Sequence, residues 1–236
     1  MTPRLLSRAL LAFSCASLLA VGGCDWMPGK PKLADKWAPA SAVADFQTLF
    51  NQNCVACHSS GETVGASLSM ADPLYLSVIP EAELRKVIAE GVPGTAMPGF
   101  SQAAGGDLTD AQVDILVAGI LAKKPATVAA GLPPYAAPLG DAALGLQVFG
   151  VHCASCHGAD GKGGTVEGSV VDPWYLALVS DQYLRTIIIA GRPELGMPSF
   201  QGTGAPTPMT NEDISNVVAW LASQRFSPQP PPPAVR

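Results

Sequence analysis

The sequence lacks a hydrophobic run long enough to span a bilayer, since its longest, Ala9 to Val21, falls short of the roughly 20 apolar residues a spanning helix needs. It also lacks the alternation of apolar and polar residues that marks half-buried strands. Charge is scarce, at 14% of residues, and the balance is acidic, with 14 Lys and Arg against 19 Asp and Glu and a net charge of −5. A chain of this kind is a poor ligand for nucleic acid and favours partners with basic docking surfaces. There are only three histidines and six cysteines. Gly and Pro are abundant, at 24 and 22, so long loops are expected.

The N-terminus has the layout of an export signal: Arg4 and Arg8, then the apolar stretch, then Val21-Gly22-Gly23-Cys24. Small residues leading into a cysteine resemble a bacterial lipobox, which implies cleavage after residue 23, a lipid on Cys24 and an exported protein at the periplasmic face of the cytoplasmic membrane or in the outer-membrane leaflet. The other reading is simple cleavage, which leaves an exposed thiol in an oxidising compartment. Loss of Arg4 and Arg8 deepens the net charge from −5 to −7. With Cys15 inside the signal and Cys24 at the cleavage site, the remaining cysteines are Cys54, Cys57, Cys153 and Cys156, and none is left for a structural disulfide.

Those four cysteines fall in CVACH, residues 54–58, and CASCH, residues 153–157. The halves of the chain repeat around them. Asp72-Pro73 matches Asp172-Pro173, Arg85 matches Arg185, Gly91 matches Gly191, and Met97-Pro98 matches Met197-Pro198, each 100 residues apart. The cysteines lie 99 apart, so the second copy carries one extra residue after its motif. The pattern reads as a tandem duplication. The segments are a signal at 1–23, a flexible tether at 24–40, a first domain at 41–122, a Pro- and Ala-rich linker at 123–140, a second domain at 141–226 and a Pro-rich tail at 227–236.

Helical signals dominate each copy. Thr109-x-x-Gln112 has the form of a capping box before an apolar-periodic stretch to about Leu121, and Thr210 opens its equivalent to about Ser223. Further helices are expected at about 41–52, 80–90, 141–151 and 180–190, the second and last closed by Gly91 and Gly191. The fold class is all-α.

A pair of cysteines with an adjacent histidine suits zinc, a redox dithiol or a covalently held haem. Zinc needs four ligands converging on one point, and here the pairs lie in separate copies. A thioredoxin-like dithiol expects a βαβ setting, which is absent. C-x-x-C-H is a signal for c-type haem attachment: the thiols add to the vinyl groups of one porphyrin edge and the histidine, His58 or His157, binds the iron. A sixth ligand should repeat as well. Met97 follows His58 by 39 residues and Met197 follows His157 by 40, whereas Met70 and Met209 align with Val170 and Leu108.

On these motifs the chain resembles the class I c-type cytochromes, in particular tandem dihaem cytochromes of the c4 type, over about 41–122 and 141–223. The resemblance implies two haem c groups, no catalytic residue and single-electron transfer between redox protein partners, as a tethered shuttle or as a subunit of a quinol-oxidising or oxidase complex. The rival is a dihaem redox enzyme of the peroxidase or thiosulfate dehydrogenase type. It also implies that Pro73 and Pro173 supply the carbonyl that accepts from the proximal histidine, and it makes Arg85, Arg185, Tyr75, Trp174 and Tyr175 candidates to hold propionates. In that family a first-helix glycine and aromatic pack on a last-helix aromatic. Gly145, Phe149 and Trp220 fit, but in the first copy Phe46 stands in the glycine's place and Gly119 in the tryptophan's. Large and small have changed sides, so Phe46 is expected against Gly119.

Overall fold

The computed structural model describes residues 37–59, 64–128, 130–202, 205 and 207–226. The export signal, Cys24, the tether up to residue 36 and the Pro-rich tail lie outside those residues. The chain divides into Met1–Pro39 and Ala40–Arg236, and the helices of both copies belong to the second unit.

Both copies run through the same order of helices. The first has α1 (Phe46–Asn53), α2 (Val55–His58), α3 (Pro73–Val78), α4 (Glu81–Glu90) and α5 (Asp110–Leu121). The second has α6 (Ala142–His152), α7 (Ala154–His157), α8 (Pro173–Leu178), α9 (Asp181–Ala190) and α10 (Asn211–Ser223). Among the described residues no strand forms, only isolated bridges at Ser101–Leu108 and Arg192–Met197.

Local chemistry explains the boundaries. The Thr109 hydroxyl accepts from the Gln112 amide while the Gln112 side chain accepts from the Thr109 amide, and Thr210 and Asp213 do the same for α10. Asp45 caps α1, so that helix starts several residues later than its apolar pattern suggests. The short helices α3 and α8 were not anticipated. Asp72 and Asp172 are their N-caps and Pro73 and Pro173 occupy the first turn, where the missing N–H costs nothing. Gly91 and Gly191 end α4 and α9 with φ of 71° and 76°, a region disfavoured for any residue with a Cβ.

Each copy buries its own core, around Phe50, Leu76, Leu116 and Ile120 in the first and Phe149, Leu176, Ile189 and Ile214 in the second. The first and last helices cross where glycine permits it. A Cβ on Gly145 would lie 2.0 Å from the Asn216 carbonyl oxygen and 2.8 Å from Trp220 Cβ, and the Phe149 and Trp220 rings stack at 4.5 Å. In the first copy the roles are reversed as expected: a Cβ on Gly119 would lie 2.1 Å from the Phe46 ring. Volume at the crossing is conserved although its carrier has moved. A Gly145→Ala variant meets backbone rather than a movable side chain, so denaturant unfolding should show a loss of about 1–3 kcal/mol, the usual range for overpacking.

The copies touch along one seam. Helix α9 packs on α3, and Ala190 joins the first core while Val78 packs against the second. The Ala96 amide donates to the Leu178 carbonyl at 3.0 Å across it.

Candidate functional site

Each CxxCH motif forms a single helical turn at the end of the first helix of its copy. Cys54 caps both α1 and α2, and Cys153 caps α6 and α7. Cys54 and Cys153 face the cores and burial, with a smaller push from the second cysteine of each pair, raises both thiols to about 11. Cys57 is exposed and Cys156 half-buried. No disulfide joins any of the four. Among the described residues no three His, Cys, Asp or Glu side chains converge as a metal site would require, so the two pairs do not combine into one zinc centre.

The histidines are held alike. His58 Nδ1 lies 2.9 Å from the Leu68 carbonyl oxygen and His157 Nδ1 lies 3.3 Å from that of Gly168. A carbonyl can only accept, so Nδ1 carries the proton and Nε2 keeps its lone pair for a metal. Burial also holds the His58 imidazole towards its neutral form. The acceptors are ten and eleven residues past the histidines, which absorbs the one-residue insertion. They are not Pro73 and Pro173. Those prolines open helices, and the Pro73 carbonyl instead accepts from the Ser77 hydroxyl at 2.7 Å. The chain after CVACH folds back onto the motif, with the Ser67 amide on the Cys57 carbonyl at 2.9 Å, and this brings Leu68 rather than Pro73 to the ring.

Met97 and Met197 occupy loops of matching construction. The Val92 amide donates to the Met97 carbonyl at 2.9 Å, and the Arg192 amide to the Met197 carbonyl at 2.8 Å. A Cβ on Gly91 would sit 2.7 Å from the Met97 carbonyl oxygen, and one on Gly191 would sit 2.6 Å from the Pro198 carbonyl carbon. The loops are thus pressed onto the ends of α4 and α9. Met70 and Met209, by contrast, lie in the cores as packing residues.

The arginine pair is reassigned. Arg85 is committed to Asp114 at 2.8 Å and Asp110 at 3.4 Å on the outer face. Arg185 is 3% exposed and clamps the linker, donating to the Pro134 and Tyr135 carbonyls at 3.1 Å or less, as well as to Asn211 and Ser215. All three nitrogens of Arg185 are thus engaged by protein acceptors, whereas the ion pairs of Arg85 use only Nε and Nη2. Trp174 is 73% exposed and meets Phe226 edge-on at 5.0 Å, on the outside of α8. Tyr75 is buried in the first core and Tyr175 packs on the second, and desolvation pushes both phenols up, Tyr175 to about 12. His152 is half-buried as the last residue of α6. Arg192, which has no counterpart in the first copy, escaped comparison of the repeats and is buried at the seam.

Each copy thus carries paired thiols beside an apolar core, an imidazole with its Nε2 lone pair available and a methionine loop, and these residue types fit the donor set of an iron-porphyrin. A family model described as cytochrome c oxidase, cbb3-type, subunit III matches the chain twice, at residues 41–118 and 140–221. The chain is 30% identical over 145 residues to cbb3-type cytochrome c oxidase subunit CcoP of Azospirillum sp. (strain B510), covering 57% of this chain and 45% of that protein. It is 30% identical over 176 residues to subunit FixP of Bradyrhizobium sp. (strain ORS 278), covering 71% and 58%. It thus spans about half the length of these relatives. A stretch of 72 residues is 40% identical to dihydro-heme d1 dehydrogenase of Pseudomonas aeruginosa, covering 30% of this chain and 14% of that one. The family match repeats as the helices repeat, so the chain belongs to the cytochrome CBB3 family and is a dihaem class I c-type cytochrome, its two haem c groups covalently bound.

Proposed function

We propose that this is an exported, membrane-anchored cytochrome that passes single electrons between respiratory partners, as a tethered shuttle or as a subunit of an oxidase of the kind its relatives belong to. In this reading Cys54 and Cys57, and Cys153 and Cys156, hold one haem each by thioether bonds. His58 and Met97, and His157 and Met197, are the axial ligands. The observation that carries it is the matching pair of histidine contacts, each leaving Nε2 available, in copies whose methionine loops are pinned by glycine in the same way. Bound there, each haem supplies a one-electron Fe(III)/Fe(II) couple.

The protein's own part is to hold and tune. The carbonyls of Leu68 and Gly168 fix the imidazole tautomer and orientation. The apolar cores behind Cys54 and Cys153 keep water from the buried edge. The thioethers of Met97 and Met197 favour the reduced iron and raise the potential. Tyr75, Tyr175 and the Nη1 of Arg85 are candidates for propionate contacts.

The anchor in this reading is a lipid on Cys24. Among the described residues no helix is long and apolar enough to cross a membrane. Residues 24–40 serve as the tether, and the acidic mature surface selects partners with basic docking faces. A Cys24→Ala variant should move the protein from the membrane to the soluble fraction while its visible spectrum stays unchanged. Intact-mass measurement of the exported protein tests the whole: two added porphyrin masses and one lipid are expected, and fewer than two porphyrins sinks the reading.

The likeness of one stretch to a dihydro-heme d1 dehydrogenase keeps an enzymatic second reading in view. Spectra of the oxidised protein separate the two. Electron transfer with full ligation gives the weak long-wavelength band of methionine on Fe(III) at both sites, whereas an enzyme keeps a high-spin site that binds added ligand.

A further inference from the structure

We propose that Arg192 is a positioning residue that ties the methionine loop of the second repeat to the CxxCH loop of the first, so that the potential of the first site depends on a side chain of the second. The inference rests on the ligand assignment above. Arg192 is 5% exposed, and its backbone forms the bridge that shapes the loop, donating to the Met197 carbonyl at 2.8 Å and accepting from the Met197 amide at 3.0 Å. Its guanidinium reaches out of its own repeat: Nη2 donates to the Gly65 carbonyl at 2.7 Å, and Nε to the Glu194 carboxylate. Gly65 lies flat on the first motif, where a Cβ would come 2.3 Å from the Cys57 carbonyl oxygen. One side chain therefore joins a segment next to a candidate iron ligand of one site to a segment next to the porphyrin attachment of the other.

The arrangement is one-sided. Val92 stands where Arg192 does and Gly94 where Glu194 does, so the first repeat sends no charge back across the seam from these positions. Glu194 also reaches the first repeat: burial first, and then this carboxylate, push the Asp72 carboxyl up. Removing the guanidinium would leave Glu194 as an uncompensated partly buried anion. Reduction lowers the positive charge at iron, so a nearby cation favours the reduced form and a bare anion opposes it. Loss of Arg192 should accordingly lower the potential of the first site as well as loosen its loop.

The test uses the full exported holoprotein in a Met197→His background, where nitrogen ligation moves the second reduction step to low potential and leaves the first to be read alone. Spectroelectrochemical titration of Arg192→Val should show the equilibrium constant for reducing the first site falling about tenfold, ~59 mV for one electron. Hydrogen exchange of the Ser67 amide, which is bonded to Cys57, should quicken. Arg192→Lys keeps the charge but loses the planar fork that serves two acceptors at once, so its shift is smaller while Ser67 still exchanges faster. A first-site equilibrium constant that moves less than twofold in Arg192→Val overturns the proposal. Should that variant fail to mature, Arg192→Lys decides, and unchanged Ser67 exchange overturns it. A parent protein with fewer than two porphyrins by mass refutes the ligand assignment instead, and the inference with it.

Discussion

Cys54→Ser with Cys57→Ser should yield a protein carrying one porphyrin instead of two, with its first repeat unfolded and its second intact. A repeat of about 80 residues buries too small a share of its surface to be comfortable alone. Its α2 is one turn long, far below the length at which a helix stands unaided. Cys54 caps that turn and Cys57 lies within it, and in the proposed assignment His58 and Met97 would both bind the iron. Without attachment, the first repeat loses the body that would complete its core. Intact mass reports the porphyrins, and hydrogen exchange resolves the repeats: protection should vanish over α4 and α5 and persist over α9 and α10. Native-like protection in α4 without a first porphyrin would sink the claim.

The second large effect is electronic. Met97→His and Met197→His should each lower one of the two midpoint potentials and leave the haem content at two. Nitrogen donors stabilise the oxidised iron relative to a thioether, and axial ligands command a range of roughly 0.8 V. A shift of a sizeable fraction of that range is expected, with the long-wavelength band reduced by half in either variant. The loops offer little slack, since Gly91 and Gly191 already lie against their backbones. An imidazole that cannot reach the iron would leave a high-spin haem, and the band is lost in that case too. A full-strength band in both variants would show that these methionines are not the ligands.

Much of this was legible in the sequence because the chain contains its own comparison. Repetition separated Met97 and Met197 from Met70 and Met209, and the exchange of Phe46 and Gly119 between helices was readable once the copies were aligned. The errors have the opposite origin. The histidine acceptors Leu68 and Gly168 are backbone carbonyls, which any residue can supply, and they arrive through a loop that folds back on the motif. Asp72-Pro73 was a helix start of N-cap and first-turn proline, and that reading of the residues was available. Arg85 and Arg185 align perfectly yet do different work, because one meets acidic neighbours on α5 and the other meets linker carbonyls that exist only beside the second copy. Arg192 occupies a repeat position at which the first copy has Val92. Self-comparison finds what the two copies share and is blind to where they differ.

The linker has a consequence of its own. Arg185 grips Pro134 and Tyr135, Gln182 reaches the Tyr135 carbonyl at 2.7 Å, and the Gly140 and Asp141 amides are bonded to Ser215 and Asn216. The connecting stretch is therefore laced to the second half before the chain re-enters a helix. The seam between α9 and α3 adds a second tie between the halves. On the ligand assignment proposed above, ties of this kind would hold the two sites at one spacing, and transfer between them would then be insensitive to solvent viscosity.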